Sequence, residues 1–545
     1  MTDHADPIVR HFRQILLWPV QLMPIRQDSQ IQNHWEVLEG AGEDNAWREL
    51  TDEFTGDPAQ FQERHYSEFV TFLPYVQRFL YGEGKGRGTK ASESPIRVFR
   101  RNDVTRVRLT PPGDPAEPMV FDVAHVDLYF FYDIDVVILA VEIFSRDLPL
   151  SRAQEVLYRF GRAYPTFWNE DGGGGHCLAR VEWLSEAGDV LATSDFEKRD
   201  KFLRTVASYR APAIAAHWEF LLKPLVSHHS DERGVIRYRQ IERHRMPVLG
   251  YLALDEPRRL SRGDFMRLAL VTAPGPMTAL PMSERHARDF EYQYCYDRYW
   301  LDETDGPCGV RYMCSGHAFI MVGGVGDPFY VDSNKGLLGQ FRHQYFLLFL
   351  IPHFHKAALL MLADRQVDAL NRLDIFDAES VKRFKRAIRR LKEVFLRFTH
   401  RYWFLEVSDQ AQAAELFRMC SEHLGAARLY DEVRDEIQDM SEYLDSDSLR
   451  RQANTVVRLT VVTAFGLIGT VTTGFLGMNL IAEAENPLWV KIAYFMVVFV
   501  ATVWLTAYTI VKSKRLSDFL EALSDDRLPT VAKLGALVDV WRNKR

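Results

Sequence analysis

Near the C-terminus, weakly polar residues recur inside an otherwise apolar run. Thr463, Gly466, Thr470, Thr473, Gly474 and Gly477 fall mostly three and four residues apart within Leu459–Met478. That spacing puts them on one face of an α-helix. A lipid-facing surface has no use for such a stripe, whereas close helix packing or a narrow aqueous path does. Val456 and Leu459 extend the same register below it as apolar rungs. Asn479 follows in Gly477-Met478-Asn479, and then come Glu483 and Glu485, with no basic residue before Lys491. Carboxylates so placed can concentrate cations electrostatically. Upstream, Asp431, Asp435, Asp439 and Glu442 form an acidic row. Like charges one turn apart destabilise a helix, so the row needs counter-charge. The basic run Lys382–Arg397 is one available source.

The elements that would position these residues are two apolar segments, Leu459–Met478 and Pro487–Val511. Each is about 20 residues long, enough for a helix to cross a hydrocarbon core of roughly 30 Å. The second segment lacks the stripe and carries Trp489, Tyr494, Trp504 and Tyr508 as interfacial anchors. The striped helix is therefore expected inside and the other outside. One inner helix cannot enclose a path, so closed rotational symmetry is required. Arg450, Arg451 and Arg458 precede the pair, and Lys512, Lys514 and Arg515 follow it. The positive-inside rule then puts both termini in the cytoplasm.

The remaining sequence reads as soluble protein. The chain has 545 residues, 47% hydrophobic and 26% charged, with net charge −7. That balance carries no nucleic-acid signature, and five scattered cysteines fit a reducing compartment. The run Ile15–Met23 contains Pro19 and has no cleavage site after it, so it is not a signal peptide. Residues 1–94 read as a helical extension ending in the glycine-rich Gly82–Ser94. Residues 95–339 mix strands and helices as a cytoplasmic α/β domain. Residues 340–458 read as a helical stalk. It comprises an amphipathic Phe341–Leu370 interrupted at Pro352, a basic Ser380–Phe404, and one long helix over Ala411–Arg458. Val433, Ile437, Met440 and Leu444 form an apolar seam along that last helix. Helix 459–478, loop 479–486, helix 487–511 and a cytoplasmic tail 512–545 complete the chain.

Other motifs are weak. The glycine-rich Asp171–Cys177 lacks the lysine and helix of a phosphate loop. Cys308, Cys314 and His317 lack a fourth zinc ligand at standard spacing. No nucleophile stands in sequence with a base that would activate it, so the chain reads as a non-enzyme with no cofactor.

A first membrane helix ending in Gly-Met-Asn, a short acidic loop, a second helix and a basic end resembles the CorA family of divalent-cation transporters. The resemblance covers roughly Ala411–Arg515, and the chain would be an enlarged member. It implies a funnel-shaped homopentamer in a bacterial inner membrane, conducting Mg²⁺ or alternatively Co²⁺, Ni²⁺ or Zn²⁺. Five copies of Asn479 would ring the outer mouth. Thr470 and Gly474 would sit at polar and small pore positions, with Val456, Leu459 and Leu467 as hydrophobic constrictions. The sequence departs from the family pattern in lacking a proline in the first helix, in Leu476 before Gly-Met-Asn, and in the offset of Arg458. Two alternatives stay open: a membrane effector whose soluble part senses a small molecule or nucleotide, and a non-conducting scaffold.

Overall fold

The structure is a computed structural model. It describes residues 6–24, 34–39, 45–50, 63–82, 95–113, 117–300, 309–477, 487–505 and 508, apart from positions 231, 232, 235, 243, 375, 376, 491, 495 and 498. The chain forms two compact units, Met1–Ile437 and Gln438–Arg545.

The first unit is built on a 14-stranded sheet. Its main strands are β1 (Ile8–Pro24), β2 (Ile96–Arg101), β3 (Arg106–Thr110), β4 (Met119–Phe131), β5 (Val136–Pro149), β6 (Arg180–Leu184), β7 (Ile236–Gln240), β8 (Val248–Leu254), β9 (Arg311–Cys314) and β10 (Ala318–Gly324). The order across the sheet is β9-β10-β8-β1-β5-β4-β3-β6, with β7 also on β1 and β2 also on β4. β8 and β10 are parallel, and the other pairs among these strands are antiparallel.

β1 corrects the expectation of a helical 1–94 segment. Phe12, Leu16, Trp18, Val20 and Leu22 enter one core, while Ile15 and Leu17 enter the other. A strand buried on both faces reads as a continuous apolar run, so its period of two is hidden. Pro19 is tolerated because of where it falls. On its N–H side, β8 pairing ends at Leu16 and β7 pairing starts at Val20. Pro19 occupies that gap, so the missing donor breaks no ladder bond. Two short helices, Glu63–Thr71 and Pro74–Tyr81, do lie in the segment. The sheet domain thus begins before residue 95.

The second face of the sheet is covered by α1 (Phe346–Asn371), α2 (Ala378–Arg401) and α3 (Ala411–Leu424). α1 is buried on nearly every side, through Leu348, Phe349, Leu350, Ile351, Phe354, Leu359 and Leu362 among others. It is a core helix rather than the amphipathic element expected, and Pro352 lies inside it without ending it. The stretch Leu337–Asn371 is long and apolar enough to cross a membrane, but 78% of its most apolar window is buried inside the protein. Stacking of Phe354 on Phe131 at 3.8 Å and of Phe349 on Phe319 at 4.0 Å fixes α1 to the sheet. Residues 340–437 therefore complete the soluble core instead of forming a separate stalk.

The single helix expected over Ala411–Arg458 is broken at Gly425, whose φ of 66° ends α3 in a left-handed cap. α4 (Ala426–Gly477) then runs for 52 residues without interruption, through the acidic row and into the striped segment. In the second unit, α4 is followed by α5 (Leu488–Leu505), an 18-residue apolar helix with none of its window buried.

Candidate permeation helix and a charged cavity

α4 and α5 meet through Gly469. A Cβ placed there would lie 2.5 Å from Thr502 Cγ2, so the absence of a side chain is what permits this approach. Val461, two turns earlier on the same side, is 7% exposed. Val456, Leu459, Thr463, Leu467, Thr470 and Gly474 lie on the opposite side of α4 and are all exposed, while Thr473 is half-buried. Of the residues expected to line a path, α5 thus leaves Val456, Leu459, Thr463, Leu467, Thr470 and Gly474 uncovered, but not Thr473 in full.

The threonines on α4 share one bonding pattern. Thr463 Oγ1 donates to Leu459 O at 2.8 Å, Thr470 to Gly466 O at 2.9 Å and Thr473 to Gly469 O at 2.9 Å. With its proton committed to the backbone, each hydroxyl has lone pairs left for whatever lies beyond the helix. Such oxygens suit a hydrated cation better than an anion. Gly477 is the last residue of α4. Met478, Asn479, Glu483 and Glu485 lie outside the described residues.

The acidic row lies opposite the apolar seam. Val433 and Ile437 are buried, while Asp431, Glu432, Asp435, Glu436, Asp439 and Glu442 are exposed. Counter-charge comes from the same helix: Arg434 reaches Asp431 at 2.9 Å and Asp435 at 3.0 Å. Gln438 donates to Glu442 at 2.9 Å. Several α2 cations pair elsewhere, Arg397 with Asp133 at 3.1 Å, Arg383 with Asp377 at 3.7 Å and Arg386 with Glu379 at 3.2 Å. The source expected in α2 is thus replaced by a local one for Asp431 and Asp435. Among the described residues, no group of three or more His, Cys, Asp or Glu side chains is arranged to hold a metal.

The first unit contains a second constellation that the sequence reading missed. A cavity of about 140 Å³ opens over β4 and β5, beside a π turn at Phe341–Tyr345. Such turns shift the helical register by one residue and recur at functional sites. Here the turn carries Arg342 and His343. Arg342 Nε donates to Glu142 at 2.9 Å, and Arg13 bonds the same carboxylate. Arg100 holds Asp127 with two bonds of 2.7 and 2.8 Å. Burial pushes the Glu142 carboxyl up, but the guanidinium groups of Arg342 and Arg13 outweigh it and hold it below the usual range. Burial lowers His125, which therefore stays neutral. Arg342 Nη2 lies 3.0 Å from His125 Nε2. An arginine only donates, so Nε2 is the acceptor and Nδ1 carries the proton. That buried Nδ1–H has no partner among the described residues. Glu142, alone in the apolar run VVILAVEIF, was the signal available in the sequence.

With this geometry in view, the C-terminal part can be compared with known families. Residues 360–512 match the family described as CorA-like Mg²⁺ transporter protein. The CorA-like region starts inside α1 and takes in α2, α3, α4 and α5. It includes Gly-Met-Asn and ends one residue beyond the second apolar segment. CorA-like proteins are membrane-embedded carriers of divalent cations, which agrees with two apolar helices at this end of the chain. The sheet as far as β10 lies outside the CorA-like region. No curated protein matches the chain.

Proposed function

We propose that the protein is a CorA-like channel or transporter for divalent cations, a homopentamer whose five copies of α4 surround the path. One observation carries this reading: the face of α4 that bears the threonine and glycine stripe is the face α5 leaves uncovered. In a bilayer, an uncovered row of hydroxyl oxygens calls for water or another helix, not lipid. Closed symmetry supplies both, with each α4 packing beside its neighbours and the stripe turned to the axis. Asn479 would ring the outer mouth, with Glu483 and Glu485 drawing cations toward it. Mg²⁺ suits a site that keeps the hydration shell, because this ion dehydrates reluctantly; Co²⁺, Ni²⁺ and Zn²⁺ are the alternatives. The membrane is the bacterial inner membrane, with both termini in the cytoplasm. Asp431, Asp435, Asp439 and Glu442 are the residues at which a regulatory ion would act.

Substituted cysteines test the path. Thr463→Cys and Thr470→Cys should react with a charged, membrane-impermeant thiol reagent in open channels, above the wild-type background, whereas Val461→Cys should not. Equal reactivity at the three positions would refute a pore on this face.

A second reading is favoured by the cavity over β4 and β5. Its unpartnered donor and arginine-bound carboxylates suit a small polar ligand, and the soluble unit would then act as a sensor. Increased thermal stability of the chain with a small-molecule ligand, lost in Arg342→Met, would support that reading.

A further inference from the structure

The first unit carries a strongly cationic helix face on α2. Over Lys382–Arg401, α2 has nine basic residues and one acidic residue, Glu393. Phe384, Ile388, Leu391, Phe395 and Phe398 turn one side of α2 into the core. Helical periodicity puts Lys382, Arg386, Arg389 and Arg397 directly opposite. The two ends of this face are tied down, Arg386 to Glu379 and Arg397 to Asp133. In its middle, Arg389 and Arg390 are exposed and have no carboxylate partner among the described residues. Arg386, Arg389 and Arg390 stand three and four residues apart, a repulsive arrangement within one helix.

α4 carries the opposite pattern. Val433 and Ile437 face the core, and Asp431, Glu432, Asp435 and Glu436 are exposed around the other side. Arg434 serves Asp431 and Asp435. Glu432 and Glu436 are one turn apart and have no cationic partner among the described residues. The faces cannot satisfy each other within one chain. Tyr430 of α4 stacks on Trp403 at 4.5 Å and bonds Thr399 of α2 at 3.2 Å, so the helices join by their inner sides. Both charged faces point away from that junction.

We infer that the cationic face of α2 docks on the acidic face of α4 from a second copy of this chain. The contact is head-to-tail, because the two patches differ. Head-to-tail contacts close into rings when the rotation permits. The inference rests on the homo-oligomer of the proposed function and adds the surface that holds neighbouring soluble units together. It also gives Glu432 and Glu436 a protein counter-charge. Complementary charges of this kind fix register and suppress wrong pairings.

The test is a charge swap in the full-length chain in detergent, read by native mass spectrometry and light scattering. Arg386→Glu, Arg389→Glu and Arg390→Glu together should weaken assembly by roughly tenfold or more in protein concentration, with the helical circular dichroism unchanged. Adding Asp435→Lys and Glu436→Lys should restore assembly, which no folding defect in the first variant could produce. The wild-type assembly should also loosen as salt rises. A wild-type oligomer that ignores the reversal, or a swap that fails to restore it, overturns the inference and leaves the proposed function standing. A monomeric wild-type chain overturns both.

Discussion

Gly469 of α4 and Thr502 of α5 lie so close that a Cβ on the glycine would sit 2.5 Å from the threonine methyl carbon. This contact decides which side of α4 is covered and which is free. Gly469→Val should therefore prise the helices apart or turn α4. We expect a loss of about 1–3 kcal/mol in thermal stability of the detergent-solubilised chain, the usual cost of overpacking. Divalent-ion flux should fall with it. Gly474→Ala, where a Cβ would meet nothing within 4 Å, is the matched control and should leave stability unchanged. Equal effects at the two glycines would remove the basis for assigning the faces.

The hydroxyl pattern on α4 leads to a second expectation. Thr470→Val keeps the shape but removes the outward oxygen. Flux should drop by about two- to tenfold with oligomeric size unchanged, as expected for one ring of weak ligands among several. Flux unchanged in Thr470→Val would remove the outward hydroxyls of α4 from the path.

Arg13 and Arg342 share one carboxylate, Glu142. Glu142→Gln would leave Arg13 and Arg342 facing each other in a largely buried site. The cost should be about 3–5 kcal/mol, as for other broken buried ion pairs, measured by denaturant or thermal unfolding. Arg13→Met leaves Glu142 paired with Arg342, at 2.9 Å, and should cost clearly less.

Buried histidines set a pH dependence. Burial pushes His353 and His355 down to about 3, with the Lys356 charge also lowering His353 and the bond to Tyr402 O partly opposing the shift at His355. Both are neutral in the fold and take up protons more readily when unfolded. Their contribution is thus complete above the ordinary histidine range and is lost as pH falls through it. At about pH 5 each should cost about 2 kcal/mol relative to neutral pH. Unfolding temperatures measured near neutrality and near pH 5 should show this loss, and His353→Leu should flatten it. An unchanged slope in that variant would contradict the assignment.

The membrane end of the chain was more legible in the sequence than the soluble end, for physical reasons. A helix in lipid must be long and apolar, and a helix that packs or lines a path must carry small or weakly polar residues at its own period. Thr463, Thr470 and Gly474 therefore declared their shared face. β1 was hidden because a strand buried on both sides has no polar alternation to betray it. α1 was misread because complete burial erases amphipathicity. The break at Gly425 was missed because no proline marks it, although glycine is the residue that a left-handed cap calls for. The cavity could not be anticipated, since Arg13, Glu142 and Arg342 are brought together only by the sheet and the π turn.

The central claim is that divalent cations pass along α4 and through the ring of Asn479. The most direct test is Mg²⁺ uptake by liposomes containing the purified full-length chain, followed with an internal Mg²⁺-sensitive dye. The wild-type protein should admit Mg²⁺, and Asn479→Ala should abolish uptake or its preference for divalent over monovalent ions while keeping the oligomer intact. A correctly assembled wild-type protein that passes no divalent ion, or an Asn479→Ala variant that behaves as wild type, would contradict the account.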